Sequence, residues 1–197
     1  MYYYILFFLI GYLLGSFPSA LIFARKSGVK DIRKVESGTM GAYNVLRNAG
    51  KKAAIFTLLA DLFKGIIAVT LAGIMAELAG IAVEYGMFTA AYGAVLGHMF
   101  PVYIGFKGGK SLAVFSGCML ILSFPVIAIV VISWLLFYKL IGKIAVSSLL
   151  AFSILPPVIM LFYYGFTPFF WFLLISGLTI GLRHGPQVYR DIIEIKK

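Results

Sequence analysis

The chain has 197 residues, 62% of them hydrophobic and 12% charged, with a net charge of +10. So few charges cannot coat a soluble domain of this size, and one cysteine, Cys118, excludes disulfide frameworks and cysteine zinc clusters. What remains is an all-α, polytopic membrane protein read as a single transmembrane domain over residues 1–197, since each crossing takes about 20 residues.

The amino terminus, MYYYILFFLIGYLLGS, has neither a basic leader nor an A-x-A cleavage site, so residues 2–24 read as a first span rather than a removed signal. A basic loop covers residues 25–52. The second span, residues 53–75, carries Asp61 and Lys64 within its apolar length. Glu77 and Glu84 flank an acidic connection, and a third span covers about 85–106. Residues 111–138 form an uncharged run of 28 that Pro125 interrupts. Residues 144–182 form another of 39. As one helix this last run would measure roughly 58 Å, about twice the hydrocarbon thickness, so it divides into two spans that turn near 165–168.

Charge placement decides how to count the middle run. If it holds two short spans, there are seven. Every Lys and Arg except Lys64 then falls in loops on one side, with Glu77 and Glu84 on the other. The positive-inside rule therefore predicts seven transmembrane helices, amino terminus outside and carboxyl terminus cytoplasmic. The net charge is explained by topology and attraction to anionic lipid headgroups, with no nucleic-acid partner required.

Four polar clusters share the predicted cytoplasmic face. GSFPSA, residues 15–20, reads first as packing or a kink in span one. In SGTMGAYNVLR, residues 37–47, the 37–41 turn can form a nest of backbone N–H groups suited to phosphate oxygens. Asn44 and Arg47 share a helix face there, and Arg47 can grip an anion bidentately. In GHMFPVYIGFKGGK, residues 97–110, the amides of Gly108 and Gly109 and the Lys110 ammonium suit a second phosphate. The spacing fails a Walker A loop, because Ile104 stands where glycine is needed. RHGPQVYR, residues 183–190, reads as a juxtamembrane anchor or an anion contact. Asp61 and Lys64 read equally as a structural ion pair or a functional site. The few acidic residues do not cluster as a metal site, and no serine or cysteine nucleophile motif is present. His98 and His184 are the only side chains whose ordinary pKa suits a general base, and a substrate phosphate could equally take the proton.

In order, GSFPSA, SGTMGAYNVLR…GKK, GHMFPVYIGFKGGK and the terminal RH resemble the bacterial acyl-phosphate-dependent glycerol-3-phosphate acyltransferases, the PlsY family, over nearly the whole chain. The resemblance implies a seven-helix enzyme of the bacterial inner membrane, with its active site on the cytoplasmic side. It implies transfer of an acyl chain from acyl phosphate to the 1-hydroxyl of glycerol 3-phosphate, giving lysophosphatidic acid for phospholipid synthesis without a cofactor or metal. Its partners would be the two substrates, membrane lipids and, in contact with it, the enzyme that produces acyl phosphate. Carried over residue by residue, the motifs imply catalytic roles for Ser37, Arg47, Lys110 and His184. They imply substrate contacts at Gly38, Gly41, Asn44, His98, Gly108, Gly109, Ser148 (with Ser147 beside it) and Gln187. The family usually has Asn at position 39, Thr at 43, Gly at 111 and Asn at 187; this chain has Thr39, Tyr43, Ser111 and Gln187. Two other readings stand beside this one: a transporter of a phosphorylated anion, and a diverged, non-catalytic paralogue.

Overall fold

The computed structural model describes residues 2–195, and among them every regular element is helical. The helices group into two compact units, one running to Leu122 and the other from Ser123.

The first unit holds α1 (Tyr2–Gly15), α2 (Ser19–Lys26), α3 (Ala42–Leu78), α4 (Val83–Met99) and α5 (Leu112–Leu122). α1 and α2 are one apolar segment interrupted at residues 16–18, where Pro18 lacks the N–H a continuous helix would need. α3 begins at Ala42, earlier than the hydropathy suggests, and kinks at Gly50, whose φ of 87° lies in the left-handed region. Lipid tails are as apolar as leucine, so helices in a bilayer associate through close packing. α1 and α4 achieve this with glycines four apart on each helix. A Cβ on Gly11 or Gly15 would overlap the carbonyl oxygen of Ala90 or Ala94. A Cβ on Gly93 or Gly97 would overlap that of Phe8 or Tyr12. Gly65 of α3 and Gly117 of α5 meet the facing backbone in the same way. Tight seams of this kind hold α1, α3, α4 and α5 together and present the broken end of α1 to the middle of α3 and the end of α4.

The second unit holds α6 (Phe124–Ile141), α7 (Ile144–Ser148), a π-helical segment (Leu149–Ile154), α8 (Leu155–Tyr164) and α9 (Pro168–Ile195). Pro125 sits in the first turn of α6, where its missing N–H costs nothing. Pro156 and Pro157 do not end their helix. Lacking N–H groups, they follow the wider π turn, and Gly177 of α9 packs against the Ser153 carbonyl there. The break between α8 and α9 falls at Gly165, φ 69°, as the length of the run requires.

Among the described residues five segments are long and apolar enough to cross a membrane: Tyr2–Lys26, Ala42–Leu78, Val83–Ile104, Phe124–Ile141 and Ile144–Tyr164. α5, with 11 residues, is shorter, about 16 Å at 1.5 Å per residue. α9 carries an apolar stretch, residues 168–182, before Arg183. The 28-residue run does divide, at Ser123.

Candidate active site

Helix α3 carries Asp61 and Lys64 one turn apart on its buried face, 2% and 6% exposed. Their partners come from three other elements. The break between α1 and α2 leaves carbonyls without helical donors, and the Lys64 ammonium takes two of them, Phe17 O at 2.7 Å and Gly15 O at 3.3 Å. Ser19, the first residue of α2, donates its hydroxyl to Asp61 Oδ1, which also pairs with Lys64 Nζ at 2.8 Å. From α4, His98 Nδ1 lies 3.4 Å from Lys64 Nζ and 3.7 Å from Asp61 Oδ1. A buried ion pair persists when further hydrogen bonds satisfy its remaining protons and lone pairs, and this one has them. A small cleft opens beside it, lined by Gly15, Ser16, Phe17, Pro18, Ser19, Met40, His98 and Pro101.

After α4 the chain turns back over its own end. Gly108 N–H donates to Met99 O at 3.1 Å and Gly109 N–H to His98 O at 3.0 Å. The fold thus uses these two N–H groups to close the corner. The glycines also serve close approach. A Cβ on Gly108 would overlap the His98 carbonyl, and one on Gly109 the His98 ring at Nε2. Ser111, the residue after Lys110, holds a φ of 68°, and its hydroxyl donates to Val95 O at 2.9 Å. That left-handed φ is one a glycine would adopt without steric cost.

The loop of residues 27–41 packs through Ile32 and Met40 on Leu21 and Ala24 of α2 and Val45 of α3. Its first turn is held by Asp31, which accepts from Arg33 N at 3.0 Å and Nε at 2.9 Å and pairs with Nη2 at 2.8 Å. The guanidinium holds the Asp31 carboxyl down at about 2, and the carboxylate raises the Arg33 pKa in return. Arg33 Nη1 also reaches Ile104 O at 3.0 Å, so one arginine ties the loop to the glycine corner.

Asn44 is buried, and both its amide hydrogens go to the loop, to Thr39 O at 2.9 Å and Ile32 O at 3.1 Å, while its Oδ1 accepts from Asn48 at 3.0 Å. Asn44 thereby ties the loop to α3. Arg47 lies exposed, its Nε 3.1 Å from Glu36 Oε2. Surface ion pairs contribute little and exchange readily for a stronger anion. Ser37 Oγ lies 2.9 Å from Thr39 Oγ1, and the turn around Gly38 and Gly41 uses left-handed residues at Glu36 and Gly38. The Met40 carbonyl comes beside Gly109, so the clusters at 37–47 and 97–110 meet in this unit.

Ser148, His184 and Gln187 belong to the second unit. Ser148 is fully buried, and Trp134 Nε1 donates to its hydroxyl at 3.0 Å. His184, 1% exposed, donates from Nδ1 to the Ile180 carbonyl at 2.9 Å, a bond that orients the ring. Arg183 and Gln187 are four apart on α9 and share a face, both half-buried. Sequence reasoning had noted Asp61 and Lys64 as a pair. It missed Ser19 and Arg33 as holders within the first unit and Trp134 as the partner of Ser148 within the second. For Ser19 the signal was available: the serine follows the only proline in span one, where a first-turn hydroxyl faces the break.

The family model described as glycerol-3-phosphate acyltransferase matches residues 5–192. A glycerol-3-phosphate acyltransferase of Bartonella henselae is 33% identical over 95% of this chain and 88% of its own length. One from Mesorhizobium japonicum is 36% identical over 91% of this chain and 88% of its own. Among solved structures, the glycerol 3-phosphate form of PlsY, described as an integral membrane glycerol 3-phosphate acyltransferase, aligns with a TM-score of 0.84 at 30% identity, covering 97% of this chain and 92% of its own.

Proposed function

This chain belongs to the glycerol-3-phosphate acyltransferase family, and from that premise we propose that it moves a fatty acyl chain from acyl phosphate to the 1-hydroxyl of glycerol 3-phosphate. The hydroxyl oxygen bonds to the acyl carbon, the acyl–phosphate bond breaks, and lysophosphatidic acid and inorganic phosphate leave. The hydroxyl proton ends on the phosphate in the overall balance. Because a mixed anhydride has a good leaving group, positioning and charge stabilisation are enough to drive the step.

The observation that carries this reading is the meeting of the 37–47 loop with the 97–110 corner, clamped by Arg33 to Ile104. Those two segments carry Ser37, Arg47 and Lys110, one hydroxyl and two cations. Arg47 and Lys110 are assigned to the substrate phosphates, and Ser37 with the backbone at Gly38 and Gly41 to orienting them. His184, Ser148 and Gln187, all in the second unit, are assigned substrate contacts by the motifs that carry them. Seven crossings, with the amino terminus outside, put these groups at the cytoplasmic edge of a bacterial inner membrane, where the acyl tail stays among lipids. They also leave that edge open to the enzyme that supplies acyl phosphate. Asp61 and Lys64, which suggested transport of an anion, have their partners within the fold, in Ser19, His98 and the carbonyls of the first-span break.

The test is purified protein in detergent with palmitoyl phosphate and glycerol 3-phosphate, run beside acyl-CoA and acyl-carrier-protein donors. Lysophosphatidic acid from the acyl phosphate alone is the expected result. Lys110→Ala and Arg47→Ala should each lower kcat/KM at least ten-fold, the equivalent of about 1.4 kcal/mol for a lost charge-assisted contact. No product above background refutes the assignment.

A further inference from the structure

The Lys64 ammonium is a donor only, with three hydrogens and no lone pair. Two of them are fixed by Asp61 Oδ1 at 2.8 Å and Phe17 O at 2.7 Å. The third points between Gly15 O at 3.3 Å and His98 Nδ1 at 3.4 Å. A proton on His98 Nδ1 would face that ammonium directly and repel it. The carboxylate that such a proton could reach, Asp61 Oδ1, lies at 3.7 Å, beyond hydrogen-bond range, and already receives Ser19 and Lys64. Nδ1 is therefore an acceptor, and the ring proton sits on Nε2. That edge of the ring is the one packed against Gly109, where even a methyl group would not fit. The His98 carbonyl meanwhile receives the Gly109 N–H. His98 thus grips Gly109 from two sides, one residue before Lys110.

We propose that the buried Asp61–Lys64 pair holds His98 as its Nε2-protonated tautomer, and that His98 so held is a positioning residue for the Gly108–Gly109–Lys110 corner and not the base that takes the substrate proton. A ring with its Nδ1 lone pair committed to Lys64 and a proton already on Nε2 has no site left to accept another. This inference rests on the acyltransferase reading for its kinetic consequences, while the tautomer itself stands on geometry alone. It also assigns the intramembrane pair a function: the network pins the α1–α2 break, α3 and the end of α4 to one another, and through His98 it sets where the phosphate-facing lysine starts.

Protein labelled with 15N-histidine, in lipid nanodiscs, tests the tautomer. The chain has two histidines, and His184→Gln assigns the pair. The expected spectrum shows His98 with an unprotonated, acceptor Nδ1 and a protonated Nε2. A protonated Nδ1 overturns the proposal, whatever the turnover. For positioning, the variant Asp61→Leu with Lys64→Met removes both charges at similar volume, and its thermal midpoint shows whether it folds. The expected effect is a KM and a calorimetric Kd for glycerol 3-phosphate raised about ten-fold, with kcat changed much less, as for loss of one positioned contact. An unchanged KM and Kd in a folded double variant overturn the positioning role; should that variant not fold, His98 substitutions decide. His98→Gln, whose amide N–H stands in for Nε2–H, should retain at least ten times the kcat/KM of His98→Ala. Equal and near-complete loss in both, with substrate binding intact, means His98 is the base and the proposal is wrong. Wild-type protein without lysophosphatidic acid formation would defeat the acyltransferase reading, whereas the labelling and calorimetry still decide this one.

Discussion

Replacing Gly97 with alanine probes one of the tightest helix contacts in the first unit. A Cβ there meets the Tyr12 carbonyl oxygen and carbon and the Ser16 N, all backbone, so no side chain can swing aside. α1 and α4 must separate by about an ångström to restore van der Waals distance, and inserting a methyl group into so tight a seam destabilises by about 1–3 kcal/mol. Alanine's helix propensity returns up to about 1 kcal/mol of that. For a chain of this length a net cost of about 1–2 kcal/mol lowers the thermal midpoint by roughly 2–8 °C. Gly73→Ala is the internal control. Its Cβ would lie 3.4 Å from Met87 Cγ and Sδ, atoms near the end of a flexible side chain, so this change should be neutral or stabilising. Activity reads the same seam, because Gly97 precedes His98 and the seam ends at the α1–α2 break. Thermal unfolding in detergent and lysophosphatidic acid formation measure both effects. An unchanged midpoint for Gly97→Ala, or a larger loss for Gly73→Ala, refutes the claim that glycine seams hold the unit together.

At Ser111 a left-handed φ costing about 1 kcal/mol opposes a buried hydrogen bond of similar worth, so Ser111→Gly should be near neutral and Ser111→Ala about 1 kcal/mol less stable. A reversed order in thermal midpoints sinks that account. Asn44→Ala leaves the Ile32 and Thr39 carbonyls without their donor and should cost about 1–3 kcal/mol of local stability. Trypsin should then cut at Lys30, Arg33 and Lys34 faster than in the parent, and an unchanged rate would mean that Asn44 does not hold the loop. Asp31, folded at about 2 against an ordinary 3.8, contributes stability that is present above pH 3.8 and lost as the pH falls towards 2. The thermal midpoint of Asp31→Asn should therefore trail the parent's at pH 5 and converge on it near pH 2; a constant gap would show that the Arg33 pairing is not the source.

Hydropathy alone determined that the chain is helical and lives in a bilayer, because a hydrocarbon solvent forces every backbone group to bond within its own helix. It also determined where the long runs must break. Gly165 and Pro168 mark the last turn, and a 39-residue run outlasts the hydrocarbon core. The polar clusters were legible because Ser, Gly, Asn, Arg and Lys are out of place at the edge of such runs. Local signals could not say which groups those residues would satisfy. They did not show that the amides of Gly108 and Gly109 would meet the carbonyls of Met99 and His98. Nor did they show that the loop would close around Asn44. Ser19, Asp61, Lys64 and His98 become one network only because α2, α3 and α4 pack together at the end of the glycine seam between α1 and α4. Hydrogen bonds act over about 3 Å, and distances that short between residues far apart in sequence are decided by packing.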